Sequence, residues 1–125
     1  MSDRQQQIRD AFADYDQGDL DALRALFASD AQWVGIPSGD ETAACHGNRQ
    51  ILRRLERVRS NGRRFTLGRM IEDRDRVAVE WTIADPSWSD SVQTFKVFAF
   101  ARGEGIVVRL NDCIDESYAL QVLVA

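Results

Sequence analysis

The stretch SVQTFKVFAFARGEGIVVRLNDCID, residues 91–115, holds two apolar runs on either side of a short glycine-rich turn. Apolar and polar residues alternate in both runs, as they do in β-strands that bury one face. The segment Gly103-Glu104-Gly105 has the length of a three-residue hairpin loop. We therefore predict an antiparallel hairpin whose strands cover residues 91–102 and 106–115.

A three-residue loop would also fix which residues of the two strands face each other. It places Lys96 directly opposite Asp112, with Cβ atoms roughly 5 Å apart. Because each charge in such a pair stabilises the other, we predict a salt bridge between these two side chains. The same count predicts the pairs Arg102–Ile106, Phe100–Val108 and Phe98–Leu110.

Two further strands precede the hairpin, because apolar residues alternate with polar ones from residue 63 onward. The first of these strands has Phe65, Leu67 and Ile71 on one face. The second covers residues 77–83. All four strands therefore belong to an antiparallel meander.

The first half of the chain follows the helical period instead. Apolar residues spaced three and four apart predict helices over residues 8–18, 19–27 and 47–58. Between the second and third helices, residues 31–36 predict a strand and residues 37–45 a loop. Three N-terminal helices packed on one side of a curved antiparallel sheet predict an α+β fold, in a single domain over residues 1–125.

The composition argues against several classes of partner. The net charge is −4, and no face or tail concentrates the basic residues, so a nucleic-acid partner is not expected. No apolar run approaches the roughly 20 residues of a membrane helix. The first residues lack the pattern of a secretion signal. We expect a soluble, cytoplasmic protein with no membrane contact, in which Cys45 and Cys113 stay reduced.

Two segments resemble a known superfamily. ADYDQGDLDALRALFASDA, residues 13–31, is similar to a helix corner common in the SnoaL-like and ketosteroid isomerase branches of the nuclear transport factor 2 (NTF2) superfamily. GIVVRLNDCID, residues 105–115, resembles the closing-strand pattern G-K-I-x-R-x-R-[DE]-Y-F-D of the same group, with departures at Ile106, Asn111 and Cys113. The resemblance covers about residues 8–115 and implies a cone-shaped sheet around a small-ligand pocket.

The same resemblance argues against one activity. The positions that hold a catalytic carboxylate, a tyrosine and a protonated aspartate in ketosteroid isomerases fall on Gly35, Ala11 and Lys96. Without an acid or base at these positions, that mechanism of proton transfer cannot operate. We therefore predict that the chain is not a steroid isomerase.

The resemblance also implies which strand residues face the interior of the cone. Most of them are apolar, so we expect an enclosed cavity of a few hundred cubic ångströms that takes a small apolar or amphipathic molecule. The predicted pocket residues are Trp33, Val79, Trp81, Phe98 and Leu110. The other positions expected to point inward are Ile83, Lys96, Phe100, Val108, Asp112 and Ile114.

Four polar residues are candidates for chemistry. Asp112 occupies the acidic position of the closing strand and is a candidate general base or hydrogen-bond acceptor, or else a hydrated residue at the sheet end. Lys96 is its predicted partner. Tyr15 lies one helical turn after Ala11 and offers a hydroxyl, or else packs as a core aromatic. His46, the only histidine, is a candidate acid or base, or else a surface residue.

The sequence predicts no metal site, because one histidine and scattered carboxylates lack metal-ligand spacing. A cyclase, isomerase, dehydratase or hydrolase of this fold needs no cofactor, so none is predicted. Trp88 stands in the polar segment of residues 85–90, where an aromatic side chain suits a pocket lid or an oligomer contact.

Two functions remain open from the sequence. The first is a cofactor-independent cyclase, isomerase, dehydratase or hydrolase that acts on an apolar substrate through Asp112. The second is a non-catalytic ligand-binding or assembly module of the same fold. In either case we expect a homodimer, because members of the group commonly pair through the outer face of the sheet. Phe95, Val97 and Ala99 would supply an apolar surface there.

Overall fold

The computed structural model describes residues 2–35 and 45–125. Most of the predicted loop over residues 37–45 lies outside these stretches, and its last residue, Cys45, begins a short strand. Within the described residues, four helices and six strands follow one another. They are α1 (Asp3–Asp16), α2 (Asp21–Leu26), β1 (Phe27–Val34), β2 (Cys45–His46), α3 (Asn48–Ser60), β3 (Arg64–Asp73), β4 (Arg76–Ala84), β5 (Val92–Phe100), β6 (Val107–Cys113) and α4 (Glu116–Val124).

The predicted α+β architecture is confirmed. The strands form one curved, unclosed sheet in the order β2-β1-β6-β5-β4-β3. Neighbouring strands are antiparallel except β1 and β6, which run parallel. Helices α1, α2 and α3 pack on one face of the sheet, which we call the inner face. The main apolar core lies between this face and the three helices.

Helix α1 is bounded by a capping serine at its start and a glycine after its end. The Ser2 hydroxyl accepts a hydrogen bond from the Gln5 N–H and so caps the first turn. Gly18 follows the helix with φ +89°, a conformation that glycine adopts without steric cost. One face of α1 is buried against the sheet, as predicted, through Ile8, Ala11, Phe12 and Tyr15.

A β-bulge in β3 corrects the predicted face of that strand. Leu67 pairs with Trp81, but the next recorded pair is Met70 with Val79, so two residues of β3 oppose one residue of β4. The extra residue reverses the alternation beyond Leu67. Met70 therefore packs with the inner core, and Ile71 packs on the opposite face.

The β5–β6 hairpin has a longer loop than predicted. The Ala101 N–H donates to the Ile106 carbonyl at 2.8 Å, which leaves a four-residue loop. Phe100 then pairs with Val107, so the predicted pairs Phe100–Val108 and Arg102–Ile106 are wrong. A bulge between Ala99 and Phe100 restores the predicted register, and the pairs Phe98–Leu110 and Lys96–Asp112 are confirmed. Val108 and Ile114, expected to point inward, are 37% and 63% exposed.

Helix α4 is absent from the sequence prediction, which placed all helices in the first half of the chain. It packs on the outer face of the sheet, the face opposite α1–α3. Ala119 and Leu123 are buried there against Phe95, Val97 and Cys113. The outer face is therefore covered within the chain itself. The argument for a homodimer from an uncovered face no longer holds, and the homodimer itself stays a prediction.

No helix among the described residues is long and apolar enough to cross a membrane.

Candidate functional site

A pocket of about 170 Å³ opens on the inner face, between α3 and the sheet. Its volume is smaller than the few hundred cubic ångströms expected from the sequence, and it is partly open rather than enclosed. Apolar side chains form most of its wall, and four charged side chains reach it. The lining residues are Trp33, Arg54, Val58, Arg63, Phe65, Ile83, Lys96 and Asp112.

Aromatic rings fill the space beneath this pocket. The Phe12 ring lies edge-on to Trp81 at 4.8 Å and to Phe98 at 6.1 Å between centroids. Phe65 lies 5.2 Å from Trp81 between ring centroids and also lines the pocket. Val79, Trp81, Phe98 and Leu110, predicted to line the pocket, are instead core residues with exposures of 1% or less. Of the five predicted pocket residues, Trp33 lines it.

The pocket contains an ion pair between the buried Lys96 and the partly buried Asp112. The Lys96 ammonium donates to Asp112 Oδ1, and the two side chains are 7% and 15% exposed. The ammonium also lies 5.0 Å from the Trp33 ring centroid and 5.3 Å from that of Trp81. A carboxylate and two aromatic faces therefore hold this cation in one position.

Among the residues that the structure describes, none donates to the second carboxylate oxygen of Asp112, Oδ2. Within the part of the chain that the structure describes, the recorded bond to its carboxylate is the one from Lys96 to Oδ1. A carboxylate has about four acceptor positions on its two oxygens. Asp112 also lines the pocket. A ligand in the pocket that carries an O–H or N–H group can therefore find an acceptor there.

The structure does not bring Tyr15 or His46 to the pocket. The Tyr15 hydroxyl donates to the Leu55 carbonyl at 2.7 Å, and burial raises the pKa of the phenol to about 12. Its ring stacks on Phe65 at 6.0 Å, on the side of the helices. His46 is exposed on the edge strand β2, where its backbone N–H donates to Gln50. Neither residue lines the pocket.

Trp88 belongs to a small cluster at the pocket rim. The Arg63 guanidinium lies 4.8 Å from the Trp88 ring centroid, and its Nε–H donates to Asp85 Oδ2 at 3.0 Å. Arg63 itself lines the pocket. Trp88, whose role the sequence left open, thus packs on a pocket residue while 40% of its own surface stays exposed.

The rim cluster predicts a pH dependence of stability. The Ser87 hydroxyl and N–H, followed by Arg63, donate to Asp85 and hold its pKa below the ordinary value of 3.8. A carboxyl whose pKa is lower in the folded chain than in the unfolded chain stabilises the fold at pH values above its pKa in the unfolded chain. This stabilisation disappears as the pH falls through the pKa of the same carboxyl in the folded chain. We expect Asp85→Asn to unfold at lower urea concentration than the wild type at neutral pH. The difference should close at pH values below 3.8. A difference that is constant across this range would contradict the assignment.

Arg54 is not among the candidate residues that the sequence indicates, although it lines the pocket. The Arg54 guanidinium lies 5.0 Å from the Trp33 ring centroid and lines the pocket. It forms no salt bridge or hydrogen bond with any other described residue. Its position was detectable, because Arg54 stands three residues after the buried Ile51 and four before Val58, on the flank of the apolar face.

Two other features lie apart from this pocket. A larger hollow of about 420 Å³ runs between α2 and α3, but Arg24, Arg49, Arg53 and Glu56 make it a charged surface groove, and it reaches none of the candidate residues. Among residues 2–35 and 45–125, no three His, Cys, Asp or Glu side chains lie together as metal ligands would. Cys45 and Cys113 are free thiols.

The comparisons with known proteins agree on the fold. The family model of the SnoaL-like domain matches residues 8–113. No curated protein sequence matches the chain. An NTF2-like protein of unknown function from Burkholderia pseudomallei is 22% identical over 100% of both chains, with a TM-score of 0.75. TerC, co-crystallised with polyporic acid, is 21% identical over 98% of both chains, with a TM-score of 0.75.

A third solved structure, of an LEH-like epoxide hydrolase from M. tuberculosis, is 16% identical over 95% of this chain and 87% of that one, with a TM-score of 0.70. At these identities the likeness establishes the fold and leaves activity open. The family match covers nearly the whole chain, from the first buried residue of α1 to the end of β6. The chain therefore belongs to the SnoaL-like domain family, and its fold is that of NTF2-like proteins.

Proposed function

We propose that this protein binds a compact, mainly apolar small molecule in the pocket of the inner face, with Asp112 as the acceptor of a ligand O–H or N–H. One observation carries the proposal: a largely buried lysine–carboxylate pair reaches a pocket whose walls are mainly apolar and aromatic. Buried ion pairs contribute little net stability compared with apolar residues of the same size. A pair retained at a pocket is therefore a candidate for ligand recognition.

The dimensions of the pocket limit the ligand. A cavity of about 150 Å³ accommodates a benzene ring. The pocket measures about 170 Å³, and Trp33, Phe65 and Ile83 supply apolar walls. We therefore expect a ligand body of about one six-membered ring. A multi-ring ligand would have to extend through the open side of the pocket.

A second candidate function is acid–base catalysis by Asp112 without a cofactor. The available oxygen of Asp112 favours it, since a general base needs a lone pair directed at the substrate. The Lys96 ammonium argues against it, because it already occupies one oxygen of the carboxylate that would have to accept the proton. The arrangement therefore supports binding better than proton abstraction.

The proposal predicts how Asp112→Asn affects binding. Phenol can donate a hydrogen bond to Asp112, whereas anisole, its methyl ether, cannot. We expect phenol to bind the wild-type protein about tenfold more tightly than anisole, because a hydrogen bond to a charged group is worth about 1.5–3 kcal/mol. In Asp112→Asn this preference should disappear. The measurement is titration of the Trp33 indole N–H resonance, assigned with a Trp33→Phe variant.

The matched control is Asp30→Asn, which removes an exposed carboxylate from β1. It should keep the preference for phenol. An equal affinity for phenol and anisole in the wild type would remove Asp112 from ligand recognition. Failure of either compound to shift the Trp33 resonance would refute the pocket as a one-ring binding site.

A further inference from the structure

Among the residues that the structure describes, the charges around the pocket do not balance. Three cations line it, namely Arg54, Arg63 and Lys96, together with one carboxylate, Asp112. Lys96 is paired with Asp112, and Arg63 is paired with Asp85 at 3.0 Å. Arg54 has no carboxylate partner within residues 2–35 and 45–125. One positive charge at the pocket wall is therefore left over among the described residues.

Arg54 is held at the wall and does not extend into solvent. Its guanidinium lies 5.0 Å from the Trp33 ring centroid, and the residue is half-buried. Stacking on an aromatic ring fixes the plane of a guanidinium while its N–H groups remain free to donate. Arg57, one turn later on the same helix, is exposed and does not line the pocket. The two arginines therefore differ in orientation, although both belong to α3.

A second donor at the same wall lacks an acceptor. The Trp33 indole N–H is buried and has no hydrogen-bond partner in the described part of the chain. Trp33 is 6% exposed and lines the pocket next to Arg54. Because Trp33 lines the pocket, the resonance of this N–H can report on a ligand bound beside the ring.

From these observations we infer that the ligand is a compact carboxylic acid, whose carboxylate is bound by Arg54 at the Trp33 wall. This inference rests on the proposed function, since it assigns the chemical class of the molecule bound in the same pocket. A planar guanidinium matches a planar carboxylate through two parallel N–H···O bonds. The carboxylate also neutralises the charge that Arg54 leaves unbalanced, while the aromatic and aliphatic walls receive the apolar body.

The test compares benzoate with benzamide, which has nearly the same shape and no charge. We expect benzoate to bind at least tenfold more tightly than benzamide to the wild-type protein, measured by calorimetry and by the shift of the Trp33 indole N–H resonance. Arg54→Gln should reduce the benzoate affinity to that of benzamide. Arg57→Gln removes the same charge from the exposed side of α3 and should leave the preference for benzoate unchanged.

The outcomes separate this inference from the proposed function. If phenol and benzamide bind but benzoate binds no more tightly than benzamide, the carboxylate inference is overturned and the pocket proposal stands. If Arg57→Gln abolishes the preference as fully as Arg54→Gln does, the effect is long-range attraction and the assignment to Arg54 is wrong. If none of the compounds shifts the Trp33 resonance, the proposed function and the inference both fall.

Discussion

Replacing Lys96 with methionine is expected to destabilise the fold by about 3–5 kcal/mol, because it leaves the Asp112 carboxylate buried without its cation. The two side chains are 7% and 15% exposed, so water can replace the lost partner only in part. Methionine keeps most of the volume between the Trp33 and Trp81 rings, and cavity formation therefore adds little. Urea denaturation followed by far-ultraviolet circular dichroism measures the change.

Two further variants identify the cause of this loss. Asp112→Asn should cost less than Lys96→Met, since the amide oxygen of asparagine still accepts a hydrogen bond from the ammonium. Combining Lys96→Met with Asp112→Leu removes both charges, and we expect it to recover most of the lost stability. If Lys96→Met costs under about 1 kcal/mol, or if the double variant is no better than the single one, the pair is not a buried ion pair in solution.

The sequence predicts the register of the β5–β6 hairpin around Lys96 correctly, although it predicts the wrong loop length. The sequence indicates two alternating strands about a glycine-rich turn, and this pattern constrains which faces are buried. The loop has one residue more than predicted, and this residue shifts the strand pairing by one position next to the turn. The bulge at Val108 adds one residue to β6 and shifts the pairing back, so Lys96 pairs with Asp112 as predicted. Polar and apolar alternation cannot reveal a bulge whose extra residue is itself apolar, as Val108 is.

Helix α4 was missed for a physical reason. Its sequence, ESYALQVLV, is apolar on most sides and rich in residues that suit either a strand or a helix. The start of the helix could nevertheless have been predicted, because Asp115 followed by Glu116 is a typical helix start. In the structure the Asp115 side chain accepts a hydrogen bond from the Tyr118 N–H and so caps the first turn. Its buried residues, Ala119 and Leu123, are four apart.

The sequence predicts the polar pair of the candidate site, Lys96 and Asp112, but it does not predict which side chains form the pocket walls. Lys96 is the only lysine of the chain, and its place on an apolar strand marked it and Asp112 as unusual. The pocket boundary depends on which large rings fill the core and which stop short of it. Trp81 and Phe98 fill the core, and Phe65 and Trp33 form the boundary. Periodicity assigns a face to each ring but gives no depth, so it could not separate these two groups.

Replacing Leu123 with alanine is expected to destabilise the fold by about 2–5 kcal/mol, as truncation of a buried leucine does. Leu123 is 4% exposed and joins α4 to Phe95 and Val97 on the outer face of the sheet. The matched control is Leu120→Ala on the same helix. Leu120 is 41% exposed, so its truncation should change stability by no more than about 0.5 kcal/mol. Urea denaturation of both variants measures the difference.

Loosening α4 should also change how the protein associates. A weakened helix uncovers Phe95 and Val97 part of the time, and an exposed apolar sheet face is a site of self-association. We expect Leu123→Ala to sediment with a larger average mass than Leu120→Ala at the same micromolar concentration. The wild-type protein in the same experiment tests the predicted homodimer directly. If the wild type is a dimer that Leu123→Ala converts to monomer, α4 forms the dimer contact and does not merely cover the sheet. If both variants match the wild type in stability and mass, α4 does not hold the outer face at all.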